Sequence, residues 1–343
     1  MSTPLVSIII IAEKWNEFLE ESLPKYQDLR YLNCEILVIT TEEIQKRGET
    51  HFWVRPKKGS HPICLYHDKN LKNRPAEKRD LAIKYAKGEI FAFIDDDAFP
   101  SPNWLAEAVK NFNDPSVVAV GGPGLTPETA STLEKASGWV SASPLGGFGS
   151  NYRFFPSKKR FVDDYPSFNL LVRKENFIKV GGFDSGYFPG EDTKLCLELT
   201  RDGVSKIVYD PKALVYHHRR PLFKKHLIQN GRFGLHRGHF ARILPATSRR
   251  WFYFIPSLFS IGLIGGILLL PFGFQLVKLG LLGGLGIYGI LLIANAIWVF
   301  GKCRNLTISL LTIPGVFLTH FWYGAQFLRG FFKRKMKDNY GRA

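Results

Sequence analysis

Three adjacent carboxylates, Asp95-Asp96-Asp97, follow the apolar run Phe91–Ile94 and precede a helical pattern. Adjacent carboxylates repel one another and destabilise the fold unless a positive charge lies beside them. A hard divalent cation with oxygen ligands is the natural partner, and Mg²⁺ usually binds together with substrate phosphates. A solvated acidic loop is the alternative. The position of the three aspartates directly after an apolar strand favours a metal site.

A second acidic pair, Glu191-Asp192, follows Gly190 and begins a predicted helix. Carboxylates are favoured at a helix N-terminus in any protein, so an ordinary structural role is the alternative. The Gly- and Pro-rich approach to this pair would let a substrate come close, which favours a functional role. His217-His218 ends a predicted strand and offers a third metal ligand. Successive strand residues point to opposite faces, so at most one of the two histidines can face the site.

Short apolar runs alternate with helical patterns through the first half of the chain. This β-α-β alternation predicts a parallel sheet covered by helices, with ligands bound at the carboxyl ends of the strands. Residues 121–166 are interpreted as a long, irregular excursion of the same domain. The predicted strands are Leu5–Ile11, Glu35–Thr40, Ile63–Tyr66, Ile90–Ile94, Val117–Val120, Phe168–Val172, Lys206–Tyr209 and Ala213–His217, and the main helices are Trp15–Tyr26, Arg74–Ala86 and Asn103–Phe112.

The charge of the chain is strongly asymmetric. The 343 residues carry a net charge of +16, yet Met1–Asp210 holds 27 basic and 29 acidic residues. Pro211–Lys337 holds 18 Lys and Arg and no acidic residue. Basic residues that flank long apolar runs indicate contact with anionic lipid, whereas a uniformly basic surface would have indicated nucleic acid. The four cysteines form no CxxC pair, which is typical of buried thiols in a reducing compartment.

Two uncharged runs, Trp251–Phe274 and Leu279–Gly301, are each long enough to cross a hydrocarbon core about 30 Å thick. A third run, Leu306–Leu328, contains Pro314. Basic clusters flank these runs, and the positive-inside rule predicts that all of them lie in the cytosol. That placement requires two full spans and a re-entrant or interfacial hairpin over 306–331, with a third span as the alternative.

The segment Leu222–Leu244 interleaves apolar and basic residues, as in amphipathic helices that lie on a membrane surface. A helix packed on its own domain is the alternative. The sequence therefore predicts four parts: a catalytic domain over 1–220, basic interfacial helices over 221–250, a transmembrane region over 251–332 and a basic tail over 333–343.

Four motifs, in this order and spacing, resemble the inverting family-2 glycosyltransferases. That family has the α/β, Rossmann-like GT-A fold of nucleotide-diphospho-sugar transferases, and the resemblance covers about residues 5–218. The motifs are Phe91-Ala92-Phe93-Ile94-Asp95-Asp96-Asp97, Gly181-Gly182-Phe183-Asp184, Gly190-Glu191-Asp192 and Tyr209-Asp210-Pro211-Lys212-Ala213-Leu214-Val215-Tyr216-His217.

The resemblance implies roles for individual residues. Asp95 and Asp97 match the family's DxD pair, which binds the donor ribose and diphosphate through Mn²⁺ or Mg²⁺. Asp192 matches the general base, and His217 matches a histidine that can complete the metal site. Arg79 matches a basic position near the donor.

Further donor contacts are expected at Glu13 and Asp96. Gln229-Asn230-Gly231-Arg232-Phe233 is similar to the QxxRW motif of membrane-bound members, with Phe233 in place of Trp, so Gln229 and Arg232 are also expected near the donor. The chain departs from the family at Thr40-Thr41-Glu42-Glu43, where Asp-Asp-Gly-Ser usually contacts the nucleobase. This departure leaves UDP- and GDP-sugars as alternatives.

The expected function is metal-dependent, inverting transfer of a sugar from a nucleotide-sugar donor to a membrane-associated acceptor, in glycan or polysaccharide synthesis. The acceptor would be polyprenyl-linked, either a polyprenyl phosphate or a polyprenyl-diphosphate oligosaccharide. The protein would be a multi-pass inner-membrane enzyme with its catalytic domain in the cytoplasm. The alternatives are a processive polysaccharide synthase subunit, a non-catalytic membrane scaffold and a metal-dependent phosphohydrolase or nuclease.

Overall fold

A computed structural model describes residues 3–42, 63–67, 74–147, 149–183, 189–334 and 336. Their contacts divide the chain into two compact units. Within these described residues, the sheet unit comprises 3–125 and 156–217, and the helical unit comprises 126–155 and 218–336. Residues 126–155, expected as an excursion of the catalytic domain, therefore pack with the C-terminal helices.

The sheet unit is built on an eight-stranded sheet with a smaller three-stranded sheet. The large sheet has the order β3-β2-β1-β4-β9-β6-β10-β8, and the small sheet has the order β5-β11-β7. The strands are β1 Val6–Ala12, β2 Cys34–Thr40, β3 Ile63–His67, β4 Ile90–Asp95, β5 Ala98–Pro100, β6 Val117–Gly121, β7 Gly124–Leu125, β8 Arg160–Val162, β9 Asn169–Arg173, β10 Lys206–Tyr209 and β11 Val215–His217.

The large sheet is mixed, so the prediction of a parallel sheet is wrong in this respect. Strands β3, β2, β1 and β4 are parallel, but β9 lies antiparallel between β4 and β6. The edge strand β8 is also antiparallel to its neighbour β10. Apolar patterning identifies a buried strand but carries no information about its direction. Between β6 and β9 the chain passes through residues 126–155 of the helical unit. This long connection allows β9 to join the sheet in the opposite direction.

The carboxyl ends of β1 and β4 lie side by side, with Ile11 paired to Asp95. All residues of β1 and the first five of β4 are buried, which explains their continuous apolar sequences. In the small sheet, His217 pairs with Ala98. The two sheets thus bring the end of β4 and the end of β11 to one place.

Seven helices of the helical unit and six of the sheet unit lie in the part of the chain that the structure describes. The predicted helix Arg74–Ala86 is divided into two short helices. The sheet unit has α1 Glu17–Lys25, α2 Pro75–Asp80, α3 Ala82–Tyr85, α4 Trp104–Val109, α7 Lys174–Lys179 and α8 Glu191–Leu199. The helical unit has α5 Thr132–Ala142, α6 Pro144–Gly147, α9 Lys224–Ile243, α10 Pro245–Ser248, α11 Ile255–Leu269, α12 Gln275–Cys303 and α13 Leu306–Phe332.

Helices α9 and α13 run side by side in close contact. A Cβ atom on Gly238 would lie 2.0 Å from the carbonyl oxygen of Phe327, and one on Gly330 would lie 1.8 Å from that of Leu235. Glycine therefore allows the two backbones to approach to contact distance. His226 of α9 lies in the same interface, where its Nε2 is 2.8 Å from Thr319 Oγ1 of α13, and its Nδ1 is 2.7 Å from Ser137 Oγ of α5. The predicted amphipathic segment is thus one helix whose glycine face packs on α13.

Three helical segments, Trp251–Phe272, Gln275–Cys303 and Leu306–Phe332, are long and apolar enough to cross a membrane. The last of them continues through Pro314 as a single 27-residue helix. The prediction of a hairpin turn within 306–331 is therefore wrong, because neighbouring structure accommodates the proline inside the helix. An interfacial helix and a third span remain as the alternatives.

Helix α12 runs antiparallel to both α11 and α13. Phe259 and Gly266 of α11 contact Tyr288 and Leu281 of α12 respectively. Cys303 and Tyr288 of α12 contact Ser309 and His320 of α13 respectively, so these two helices run in opposite directions.

Ser257 and Ser260 of α11 donate to the carbonyl oxygens of Gly324 and Phe321 of α13 respectively, so α11 and α13 are in direct contact at this point.

Candidate active site

Asp95, Asp97 and His217 lie together at the carboxyl end of β4. One ligand atom from each lies within 4.8 Å of the other two, a grouping that can hold a metal ion. His217 Nε2 is 3.0 Å from Asp97 Oδ1, and the Asp97 side chain is buried. Two carboxylates and an imidazole suit Mn²⁺ as a donor set, and the carboxylates also suit Mg²⁺. The described residues therefore form a possible acidic metal site.

The middle aspartate, Asp96, is held by a different partner. Asn16 Nδ2 donates to Asp96 Oδ2 at 2.6 Å, while Asn16 Oδ1 caps α1 by accepting from the backbone N–H of Leu19. Burial and the neighbouring carboxylate of Asp97 raise the pKa of Asp96 to about 6. The Asn16 amide thus fixes the turn that separates Asp95 from Asp97.

Arg79 of α2 connects the two acidic motifs. Its guanidinium donates to Asp95 Oδ1 at 2.8 Å and to Glu191 Oε1 at 3.2 Å. Both Arg79 and Glu191 are almost fully buried. Burial disfavours the charged guanidinium, but Asp95, Asp192 and Glu191 outweigh it and raise the pKa of Arg79. The end of β4 and the start of α8 are therefore joined by one buried cation.

The residues on either side of Arg79 also hold parts of the site. Lys78 Nζ donates to the carbonyl oxygen of Ala12 at the end of β1, at 3.0 Å. Asp80 Oδ1 accepts from the backbone N–H of Phe183, at 2.8 Å. Burial lowers the pKa of Lys78 to about 8, although Asp96 and Glu13 oppose this shift. Three consecutive residues of α2 thus bind β1, the two acidic motifs and the Gly182-Phe183 turn.

Asp192 lies in the first turn of α8, and its Oδ1 is buried with no hydrogen-bond partner among the described residues. Burial, together with the adjacent Glu191, raises the pKa of Asp192 well above that of an ordinary aspartate, and Arg79 and Ser167 oppose this shift. Gly190 is the N-cap of α8, and its φ of 145° favours glycine. This carboxylate can accept a proton from a group bound beside it.

The other residues predicted to contact the donor belong to different parts of the chain. Glu13 has an exposed side chain, and its carbonyl oxygen accepts from the backbone N–H groups of Thr41 and Glu42. Gln229 and Arg232 lie on α9 in the helical unit, where Gln229 is half-buried and Arg232 is exposed. Their proximity to the donor remains a prediction.

Asn16 and Lys78 are site residues that the sequence analysis did not single out. The first strand of the family usually ends in Pro-x-x-Asn-Glu, and Asn16-Glu17 keeps the last two residues of that pattern, which was the available signal. Lys78 directly precedes Arg79, but a lysine on a short helix gives no sign that it will be buried.

The mixed sheet with its flanking helices has the arrangement of the GT-A class of glycosyltransferases, and a possible metal site follows β4. Residues 7–181 match the description "Glycosyl transferase family 2", which is half of the chain, and the chain belongs to that family. The sequence-based predictions of the family, the fold and the transferase class are confirmed.

Curated relatives come from bacteria and archaea. The pre-mycofactocin glycosyltransferase of Mycobacterium tuberculosis is 28% identical over 51% of this chain and 37% of its own length. The glucosyl-dolichyl phosphate glucuronosyltransferase of Haloferax volcanii is 25% identical over 40% of this chain and 46% of its own. The O-antigen biosynthesis protein RfbC of Myxococcus xanthus is 27% identical over 63% of this chain and 17% of its own. The chain thus matches less than half the length of each.

A solved structure with the same fold is the mannosyltransferase PcManGT from Pyrobaculum calidifontis, in complex with GDP-Man and Mn²⁺. The similarity covers 94% of this chain and 88% of that one, with a TM-score of 0.62 and 16% identity. At this identity the likeness establishes the fold.

We expect the Arg79–Glu191 pair to stabilise the sheet unit through charge compensation. Arg79→Met should destabilise the full-length protein by about 3–5 kcal/mol, because Glu191 becomes a buried, uncompensated charge. The double variant Arg79→Met/Glu191→Gln should melt at a higher temperature than Arg79→Met alone. Thermal unfolding in detergent measures both effects.

The matched control is Lys110→Met, which breaks the exposed ion pair with Glu107 and should cost at most about 1 kcal/mol. Equal melting temperatures for Arg79→Met and Lys110→Met would contradict the role of the buried pair.

Proposed function

We propose that the protein is a metal-dependent, inverting glycosyltransferase that moves a sugar from a nucleotide-sugar donor to a lipid-linked acceptor. The observation that carries the proposal is the grouping of Asp95, Asp97 and His217 in the same unit as Arg79 and as Asp192, whose Oδ1 is buried.

Asp95, Asp97 and His217 are proposed to hold Mn²⁺ or Mg²⁺. When bound, the cation would neutralise negative charge that develops on the departing diphosphate. The PcManGT structure contains Mn²⁺ and GDP-Man, which supports this choice of ion and a GDP-sugar as one donor class. Asp96, fixed by Asn16, would keep the flanking aspartates apart, and Lys78 and Arg79 would add positive charge beside them.

Asp192 is proposed to be the general base. As an acceptor hydroxyl oxygen forms a bond to the anomeric carbon, its proton would pass to Asp192 Oδ1 and the bond to the nucleoside diphosphate would break. A single displacement from the opposite face inverts the anomeric configuration. The buried Oδ1 has no protein partner among the described residues, so an acceptor hydroxyl would supply the missing hydrogen bond.

The acceptor is proposed to be lipid-linked. The relative from Haloferax volcanii is named for a dolichyl phosphate substrate, and the relative from Myxococcus xanthus for O-antigen biosynthesis. A polyprenyl-diphosphate oligosaccharide offers a sugar hydroxyl that requires a base. A polyprenyl phosphate would hardly need one, so the base favours the glycan-bearing acceptor.

We propose that α11 and α12 cross the inner membrane and that α13 lies at its surface beside α9. Helices α11 and α12 are the least buried of the three apolar helices, whereas α13 is covered by other helices over a third of its most apolar window. The basic residues near 249, 302 and 333 would then all lie on the cytoplasmic side, together with the catalytic domain.

Removal of a metal ligand should abolish metal-dependent donor binding. In a thermal-shift assay with GDP- and UDP-sugars, the wild type should be stabilised by one of the two only when Mn²⁺ is present. Asp97→Ala should lose this response, whereas the exposed Asp28→Ala should keep it. Equal stabilisation with and without Mn²⁺ would count against the metal site.

Asp192→Asn should reduce sugar transfer by at least about 100-fold while donor binding stays near the wild-type value. The base must be deprotonated, so wild-type kcat/KM should fall as the pH drops through the raised pKa of Asp192. This loss should occur closer to neutrality than the ordinary aspartate value of about 3.9. Loss of donor binding in Asp192→Asn would remove this residue from the base role.

Cysteine accessibility tests the membrane arrangement. In a variant with all four native cysteines replaced by serine, we would introduce Phe272→Cys or Gly341→Cys. An impermeant maleimide applied to spheroplasts should label position 272, which is exposed in the α11–α12 turn, and should label position 341 only after permeabilisation. Labelling of position 341 in intact spheroplasts would show that α13 crosses the membrane.

A further inference from the structure

Three aromatic rings of the helical unit meet at the C-terminal end of α12. The ring centroids of Trp139, Phe155 and Trp298 form a triangle with sides of 5.8, 6.2 and 6.0 Å. All three side chains are half-buried. They come from α5, from the segment after α6 and from α12, so three separate parts of the unit contribute to one aromatic cluster.

A cation without an acidic partner lies over this cluster. Lys302 Nζ is 5.8 Å from the ring centroids of both Phe155 and Trp298, near the outer limit of a cation–π contact. Lys302 is exposed and forms no ion pair in the described part of the chain. Arg304 follows two residues later, and Arg219 lies over Phe154 at 4.7 Å. The sequence has no acidic residue between Pro211 and Lys337, and the acidic residues of the helical unit are Glu128 and Glu134.

A buried hydrogen-bond donor lies one turn before Trp298. Asn295 Oδ1 accepts from the backbone N–H of Leu145, which fixes the orientation of the amide. Its Nδ2 is buried and has no partner among the described residues. Asn295, Trp298 and Lys302 are spaced three, four and seven residues apart, so they lie on one face of α12.

We infer that this face of α12 binds the phosphate of a lipid-linked acceptor. Lys302 would neutralise the phosphate, and the three rings would contact the first isoprenoid or sugar units on either side of it. The cluster lies at the basic end of a helix proposed to span the membrane, which is the depth at which a lipid phosphate resides. The inference rests on the proposed function, because it names the part of the acceptor that the helical unit recognises.

The positive charge of Lys302 favours a lipid phosphate over an uncharged, apolar ligand. Aromatic residues alone are common at membrane interfaces, where they anchor a helix without binding a particular molecule. An anchoring role requires neither the unpaired Lys302 nor a buried, unpartnered amide. Both features suit an anionic ligand that also accepts hydrogen bonds.

The test is a titration of undecaprenyl phosphate into the full-length protein in phosphatidylcholine nanodiscs, followed by tryptophan fluorescence. Lys302→Gln should weaken binding by about tenfold, as for the loss of one charge-assisted contact. Lys278→Gln is the matched control, because Lys278 is an exposed lysine near the opposite end of α12. It should leave the affinity unchanged. Trp298→Phe, which retains a ring, should weaken binding less than Trp298→Leu.

Three further probes distinguish the sources of the signal. Undecaprenol, which lacks the phosphate, should bind with an affinity that does not depend on Lys302. Phosphatidylglycerol at the same mole fraction, and inorganic phosphate, should compete poorly. Equal loss in Lys302→Gln and Lys278→Gln, or equal competition by phosphatidylglycerol, would reduce the effect to general attraction by a basic surface and overturn the inference.

Donor binding is measured separately on the same variants. Lys302→Gln should keep the wild-type thermal shift with nucleotide-sugar and Mn²⁺. If the wild type itself shows no such shift, the proposed transferase function fails while the lipid titration remains interpretable. Unchanged lipid affinity in Lys302→Gln, with a normal donor response, would overturn this inference alone.

Discussion

The buried guanidinium of Arg79 is the interaction on which the sheet unit depends. It binds Asp95 at the end of β4 and Glu191 at the start of α8, and the electrostatic influence of Asp192 also reaches it. A nucleotide diphosphate requires positive charge around it, whereas a metal ion and a base require carboxylates. Arg79 makes both possible, because its positive charge offsets the repulsion between carboxylates that would have to lie close to the same substrate. Without this cation, the two acidic motifs would repel each other.

The helical unit is organised by a different constraint, the satisfaction of backbone polar groups among apolar helices. Leu145 illustrates it: its N–H donates to Asn295 of α12, and its carbonyl oxygen lies 3.1 Å from His320 Nε2 of α13. His226 similarly joins α5 to α13 through Ser137 and Thr319. Side chains on the long helices thus take over hydrogen bonds that water would otherwise supply. Residues 126–155 are held in the helical unit by these specific contacts.

Much of the sheet unit could be predicted from the sequence, because buried strands such as Ile90–Asp95 are apolar at nearly every position. The grouping of Asp95 with Asp97 followed from adjacency, and the contribution of His217 followed from the family resemblance. The antiparallel entry of β9 could not be predicted, because burial does not reveal chain direction. The unbroken α13 was also missed, since Pro314 ends helices in water but is tolerated where other helices surround it. The partners of Lys78 depend on tertiary contacts that no local pattern encodes.

The short helix α2 limits the insertions and deletions that this protein can tolerate. Lys78, Arg79 and Asp80 are successive residues, so their side chains leave the helix axis about 100° apart and reach three different elements. A single inserted or deleted residue before them would rotate all three together and separate every partner at once. A single substitution would alter only one of these three sets of contacts, whereas a change of length would alter all of them. In this protein the tripeptide therefore acts as a fixed unit of spacing.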